Sequence, residues 1–496
     1  MSSIQRQTIL GTGFSYAGII VGFLITGLLL PNILETDQNG LIQLLMSVSI
    51  ILTQFSNLGI NGAGGRYFPY FRNYERGHGG FLLLALSLSI LGFSVCTIGV
   101  FLFKDQIQAA NQAKSALFSQ YYLLLIPLTF STLFFNLFDN YSRLLYDSVT
   151  GTFLKDFLQR FIFLGVVLAY WQGLISFPTM LVGWLSSYLV ALVLMMVSLI
   201  RGGHFTLSPQ HLSLPPDLRR SLLRYAGLTL MTGLSTQLIQ HVDKWLINEA
   251  KGLASTGVYG ISAAFGSVIA APANMLYKVS GVVIADAWKE NRPDTIRSVY
   301  EKSCLSQLVI GCLAFVGIAA NLPTIFQFLK PEYEAGYFVV LWLGFGKLVD
   351  MSAGVNGQIL GTSRRYAWDS VFNVAMMVIT VAITPSLIRA YGIEGAAIGA
   401  VIATVLFNAA RTGFVWYSFG MQPFSWRNIA VLALGAAVWL LASLPPYLAG
   451  SKLLLLVDIA LRSAGIVLLY AGTLLGLRLY PDLNGLVARY WARVSS

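Results

Sequence analysis

Apolar stretches of about twenty residues, the length a helix needs to cross a ~30 Å hydrocarbon core, follow one another from Thr8 to Tyr480. Short polar or glycine-bearing connections separate them. The pattern predicts an all-α polytopic membrane protein of about 14 transmembrane helices. The segments run over residues 8–31, 40–64, 80–103, 116–138, 157–176, 179–200, 222–247, 256–285, 304–322, 336–360, 367–388, 394–417, 428–446 and 453–479.

The longest polar connection, 201–221, carries Pro209, Pro215 and Pro216 and reads as a linker between two lobes. Residues 1–200 are expected to form an N-lobe of six helices and 222–420 a C-lobe of six. Residues 421–496 hold two further helices and a tail. Tyr170-Trp171-Gln172-Gly173 before segment six is similar to Tyr391-Gly392-Ile393-Glu394-Gly395 before segment twelve. Segments two and eight likewise each follow a Gly-bearing outer turn, around Gly40 and Gly257. A repeat offset of six helices keeps both copies in one orientation, so the lobes are related by a parallel pseudo-two-fold along the membrane normal.

Composition supports the membrane class: 56% of residues are hydrophobic and 11% charged. Most of the 32 Lys and Arg residues fall on one set of connections, from Arg6 and Arg66 to Arg489 and Arg493. The opposite set has only Lys104, Lys114, Lys244, Lys251, Lys330, Arg389 and Lys452. The positive-inside bias places both termini in the cytoplasm of a bacterial inner-membrane protein. The net charge of +11 is spread along helix ends instead of forming a nucleic-acid patch. Segment one is too long for a signal-peptide core and is expected to be retained. Cys96, Cys304 and Cys312 lie in apolar segments without CxxC spacing, which implies neither a metal site nor a disulfide. No nucleotide loop or nucleophile–base spacing marks an enzyme, and no cofactor is implied.

Three stretches carry a resemblance. Asn57-Leu58-Gly59-Ile60-Asn61-Gly62-Ala63 with Arg66-Tyr67 and Pro69 closes segment two. Asp243-Lys244-Trp245-Leu246-Ile247 closes segment seven, and Gly257-Val258-Tyr259 with Ala263 opens segment eight. With the Tyr391 to Gly399 stretch they resemble the polysaccharide exporters, the O-antigen flippase type, of the multidrug/oligosaccharidyl-lipid/polysaccharide (MOP) superfamily. The resemblance implies a 14-helix alternating-access transporter with a central cavity. Its substrate would be an undecaprenyl-diphosphate-linked oligosaccharide for O-antigen, capsule or exopolysaccharide assembly. It further implies membrane lipids, a coupling proton or sodium ion, and a polysaccharide polymerase with chain-length machinery as partners. Relatives that flip lipid II usually carry several arginines in the first helices, and segment one has none.

A charge at bilayer depth is costly unless paired or wet, so intramembrane ionisable residues are the candidate site. Lys278, Lys347 and Arg411, with Arg66 and Arg143 at helix ends, are expected to hold an anionic headgroup. Asp350, three residues after Lys347, and the motif residues Asp243 and Lys244 are candidates for coupling or gating. Asp458 and Arg462, four apart, are expected to form a structural ion pair. A cation-extruding drug antiporter needs deep carboxylates, and in the first six segments Asp139 comes nearest to one. A cationic lumen suits a diphosphate lipid instead. The alternatives are a cation-coupled multidrug antiporter of the same superfamily or a lipid II flippase.

Overall fold

The computed structural model describes residues 3–73, 77–207, 216–448, 450–481 and 485. Residues 208–215 of the expected linker, including Pro209 and Pro215, and the tail with Arg489 and Arg493 lie outside the described residues. Eleven helices among the described residues are long and apolar enough to cross a membrane. One of them, Ala367–Phe419, breaks at Gly392 (φ 62°, ψ −139°) and supplies segments eleven and twelve. The more polar segments five, at 149–171, and seven, Pro216–Lys251, complete the expected fourteen. The fold is all-helical, as the apolar pattern requires.

The chain divides into two compact units, Met1–Gly260 and Ile261–Ser496, with the division inside the helix Leu253–Lys289. In the first unit, segment seven packs against segment two, and segment two against segment four. Apolar side chains at one end of these helices, among them Phe68, Phe81, Phe135 and Tyr141, form one core. Leu41, Leu45, Phe118, Tyr122 and Trp184 form a second. In the second unit, segment nine (Pro293–Phe326) packs on segments ten, thirteen and fourteen.

The motif glycines have geometric causes. Segment two is not one helix: Thr36–Ser56 stops, Leu58 and Gly59 turn with positive φ (48° and 76°), and a new helix, Ile60–Phe71, begins. A Cβ on Gly59 would lie 2.0 Å from the Ala226 carbonyl oxygen of segment seven, and the Thr229 hydroxyl donates to the Gly59 carbonyl at 2.9 Å. Only glycine meets both the left-handed turn and the close approach. Gly59→Ala is expected to lower unfolding stability in detergent by about 1–3 kcal/mol. Gly65→Ala, where a Cβ meets nothing within 4 Å, is the control that leaves the unfolding midpoint unchanged. Equal midpoints for the two variants would show that the turn is not under constraint.

Gly173 and Gly392, the glycines of the repeated stretch, both adopt positive φ, at 74° and 62°. Gly395 then lets segment twelve lie against segment eleven, where a Cβ would meet the Leu387 carbonyl oxygen at 2.0 Å. Gly18 in segment one is likewise a contact point, 2.0 Å from the Asp156 carbonyl oxygen if given a Cβ. Two π-helical turns, Leu24–Leu29 and Phe153–Leu158, interrupt segments one and five.

Candidate functional site

In the first unit the sequence pattern Asp-x-x-x-Arg places two acid–base sets near each other. Asp139 and Arg143 are one helical turn apart on segment four and form an ion pair, the arginine half exposed at 56% and the aspartate buried at 7%. Asp156 and Arg160 are spaced identically on segment five, but both turn to segment one. Asp156 accepts from the Ser15 hydroxyl at 3.2 Å, and Arg160 donates to the Gly18 carbonyl. Lys155 is exposed and donates to Asn136 Oδ1 at 3.1 Å. It lies within electrostatic reach of Asp139, Asp156, Arg143 and Arg160. Three cations thus gather around two carboxylates. The cation that segment one lacks in its own sequence reaches it from segment five.

Arg66 sits on the second half of segment two, its guanidinium 4.9 Å from the Tyr225 ring centroid and 5.9 Å from that of Tyr67. Such cation–π contacts hold an exposed arginine in one orientation.

The Asp-Lys and Gly-x-Tyr motifs meet each other. Tyr259 donates its hydroxyl to Asp243 Oδ2 at 2.5 Å, and the Lys244 backbone N–H donates to Asp243 Oδ1 at 2.8 Å. Adjacent residues point apart on a helix, so the Lys244 ammonium goes elsewhere, to Gln43 Oε1 of segment two at 3.0 Å. Gly40 and Gly257 lie in mutual contact: a Cβ on Gly257 would be 2.9 Å from the Gly40 nitrogen. Asn248 adds hydrogen bonds to Asn111 at 2.8 Å and from Ser115 at 2.6 Å. The motif therefore builds a polar clamp that joins this end of segments two, four, seven and eight.

In the second unit Arg411 finds its partner on segment eleven, in Asp369 at 2.6 Å. Both are largely enclosed, at 16% and 19% exposure, and the guanidinium lies 3.9 Å from the Phe407 ring centroid. Asp350 and Lys347 do not pair, although three residues apart on one helix. Asp350 accepts from Asn408 at 3.0 Å, and Asn408 in turn accepts from Asn356 at 3.1 Å. Lys347 is exposed. Lys278 belongs to the helix Leu253–Lys289, but its side chain lies outside the described residues. Asp458 and Arg462 form the expected ion pair at 3.1 Å, at 6% and 5% exposure.

In the sequence alone Lys155 and Arg160 fall among the many basic residues of one set of connections, and Asp156 and Asp369 are not among the candidates. A signal for the first set was present. Asp four before Arg occurs at 139/143 and 156/160 as well as at 458/462, and such pairs share one helix face. Nothing local marks Asp369, which lies 42 residues before Arg411 and meets it by tertiary packing.

No protein-family model and no curated protein sequence matches this chain. Solved structures do. A lipid II flippase, MurJ, in an inward closed conformation superposes with a TM-score of 0.73 at 12% identity, over 96% of this chain and 99% of that one. An inward-facing multidrug resistance transporter of the MATE family in the MOP superfamily gives 0.63 at 16% identity, over 84% and 96%. A MATE protein in complex with MaL6 gives 0.57 at 14% identity, over 86% and 95%. At these identities the likeness is one of fold, and it extends over nearly the whole length of each.

Proposed function

We propose that the chain is a flippase that carries a polyprenyl-diphosphate-linked oligosaccharide from the cytoplasmic to the outer leaflet of the bacterial inner membrane, for assembly of a surface polysaccharide. The observation that carries this reading is the cationic surplus of the first unit, where Arg143, Lys155 and Arg160 outnumber Asp139 and Asp156. A diphosphate offers several charged acceptor oxygens, and guanidinium and ammonium groups pair with these more strongly than with neutral acceptors. Carboxylates that would serve an antiporter of cations are occupied in this unit. Asp139 holds Arg143, Asp156 holds Ser15 and Asp243 holds Tyr259.

Among the residues singled out in the sequence, Arg143, Arg66 and Lys347 remain the best placed to meet an anionic headgroup, and Lys155 joins them. Lys278 belongs to the same proposed set. Arg411 is neutralised by Asp369, so its part is to fix segments eleven and twelve. Asp350, with its chain of asparagines, is the place we assign to a coupling proton or sodium ion. Asp243 and Lys244 act as the gate: their clamp must open once in each alternating-access cycle. Both termini are assigned to the cytoplasm, and polymerase and chain-length proteins to the outer side as partners.

The likeness to a lipid II flippase favours a second substrate of the same chemistry, since lipid II is also a lipid carrying an anionic saccharide headgroup. The test reconstitutes the full chain in liposomes. It measures whether a fluorescent polyprenyl-diphosphate oligosaccharide, or lipid II, becomes accessible from the opposite leaflet, with efflux of a cationic dye measured alongside. Oligosaccharide-lipid movement without dye efflux is expected. Movement of lipid II alone would transfer the assignment to that substrate, and dye efflux alone would overturn the flippase reading.

A further inference from the structure

The first unit contains a cavity of about 500 Å³ with no part in the reading above. Segment two contributes Leu52 and Phe55 to its wall, segment three Cys96 and Phe103, and segment seven Leu234 and Trp245. The wall is almost entirely apolar. The Tyr122 hydroxyl, one of its few polar groups, is already spent on the Val100 carbonyl at 3.2 Å, and the Cys96 thiol faces the Leu52 carbonyl at 3.8 Å. Neither group is left as a handle for a sugar or a phosphate inside. Water gains little in such a space, and apolar cavities even a fraction of this size stay dry and take up apolar molecules. The volume falls in the range of about 300–1,000 Å³ typical of small-molecule sites.

The medium outside the cavity is the bilayer. Val95 on its wall is half exposed, as are Ile98 and Phe103 on the same helix, Phe81–Leu102 and its end. Charge at the mouth narrows the occupant. The wall continues past Phe103 to Ile107, on the short helix Lys104–Asn111 that Lys104 starts. Lys114 and Lys251 belong to the same end of the helices: Lys114 donates to the Glu249 carbonyl, and Lys251 closes segment seven. Lys104 and Lys244 adjoin the wall residues Phe103 and Trp245 in sequence, and Lys114 and Lys251 lie at the same end of the helices.

We propose that this cavity holds an acyl chain of an anionic phospholipid, whose headgroup lies at Lys104, as a resident lipid between segments three and seven. Bulk phospholipid is favoured over the carried polyprenyl lipid by mass action, since an almost entirely apolar wall does not select the rarer molecule by its headgroup. The proposal does not depend on the transport reading.

Gly99 makes the site testable, because it lines the cavity and a Cβ there meets nothing within 4 Å. The full chain is reconstituted with phosphatidylglycerol or phosphatidylcholine brominated along the acyl chain. The Trp245 emission is isolated as the difference from Trp245→Phe. Brominated phosphatidylglycerol is expected to quench it at a mole fraction roughly fivefold lower than phosphatidylcholine, equivalent to about 1 kcal/mol for one lysine near the surface. Lys104→Gln should abolish that preference. Gly99→Phe, and Gly99→Leu should the larger side chain impair folding, should remove the steep phase by filling the cavity. Equal quenching by the two lipids in the unaltered protein, or steep quenching that survives both Gly99 variants, would overturn the proposal. Quenching that is displaced only by added polyprenyl phosphate would assign the cavity to the isoprenoid chain and overturn it as well.

Discussion

Arg462→Met is expected to remove about 3–5 kcal/mol of stability, because it leaves Asp458 as an unpaired carboxylate in the interior of the second unit. Asp458 and Arg462 are both about 5% exposed, and the Thr324 hydroxyl, donating to Asp458 at 2.7 Å, cannot replace a guanidinium. The arginine has a second task. It donates to the carbonyls of Ala442, Pro445 and Pro446 and lies 4.1 Å from the Tyr447 ring centroid. Segment thirteen ends at Ser443, and its last carbonyls have no helical partners of their own. Arg462→Lys keeps the charge but not the fork of donors, so its loss should be intermediate. Pairing Asp458→Leu with Arg462→Met should recover part of the loss, since no charge is then stranded, but not the part due to the orphaned carbonyls. Thermal unfolding of the purified protein in detergent, followed by tryptophan emission, reads all three. A single variant as stable as the unaltered chain would mean that the pair is wetter than its burial indicates.

Lys155→Met is expected to behave in the opposite way, with little change in unfolding and a loss of flipping of about tenfold or more, the equivalent of ~1.4 kcal/mol of headgroup pairing. The residue is exposed and its ammonium donates to Asn136, while Asp139 and Asp156 keep Arg143 and Ser15 as partners, so its removal strands no buried carboxylate. Lys155→Arg should restore most of the rate, because charge is what the headgroup meets. Arg143→Met gives the contrasting result. It should slow flipping and also destabilise, because Asp139, buried at 7%, loses its partner. The liposome accessibility assay supplies the rates. Unchanged flipping by Lys155→Met would remove this residue from the headgroup set and return the weight to Arg66 and Lys347.

These two predictions separate what the chain discloses by itself from what only packing creates. The apolar periodicity carries the fourteen crossings, since each needs only its own twenty residues to be recognised. Segments five and seven are the least apolar of the set, and they hold the residues that matter here: Lys155, Asp156, Arg160, Asp243 and Lys244. The Asp458–Arg462 pair was legible for the same reason of locality, four residues on one helix. Lys347 and Asp350 show the limit of that rule. Three-residue spacing allows contact, but Asn408 on another helix offers Asp350 a hydrogen bond that costs no desolvation of an ammonium. Arg411 lacked a partner on its own helix and found one on the next. The Asn57 to Ala63 stretch could be recognised as a motif, yet its purpose depends on the sign of one φ angle and on a carbonyl from segment seven.

The π-helical turn Phe153–Leu158 has a consequence for the tolerance of this chain to change. Such a turn contains one residue more than the α-helical turn it replaces. Excising any one of its six residues would therefore leave an uninterrupted α-helix with no side chain of Arg160 or Gln159 altered. Because the extra residue is absorbed within that single turn, the helix beyond it keeps its phase and Arg160 still meets the Gly18 carbonyl. A residue removed from the regular helix that follows, Gln159–Trp171, would instead rotate everything beyond it by roughly 100° about the axis, the step of one residue in a helix of 3.6 per turn. Within segment five the π turn is therefore where a change in length is tolerated, and the regular helix after it is where it is not.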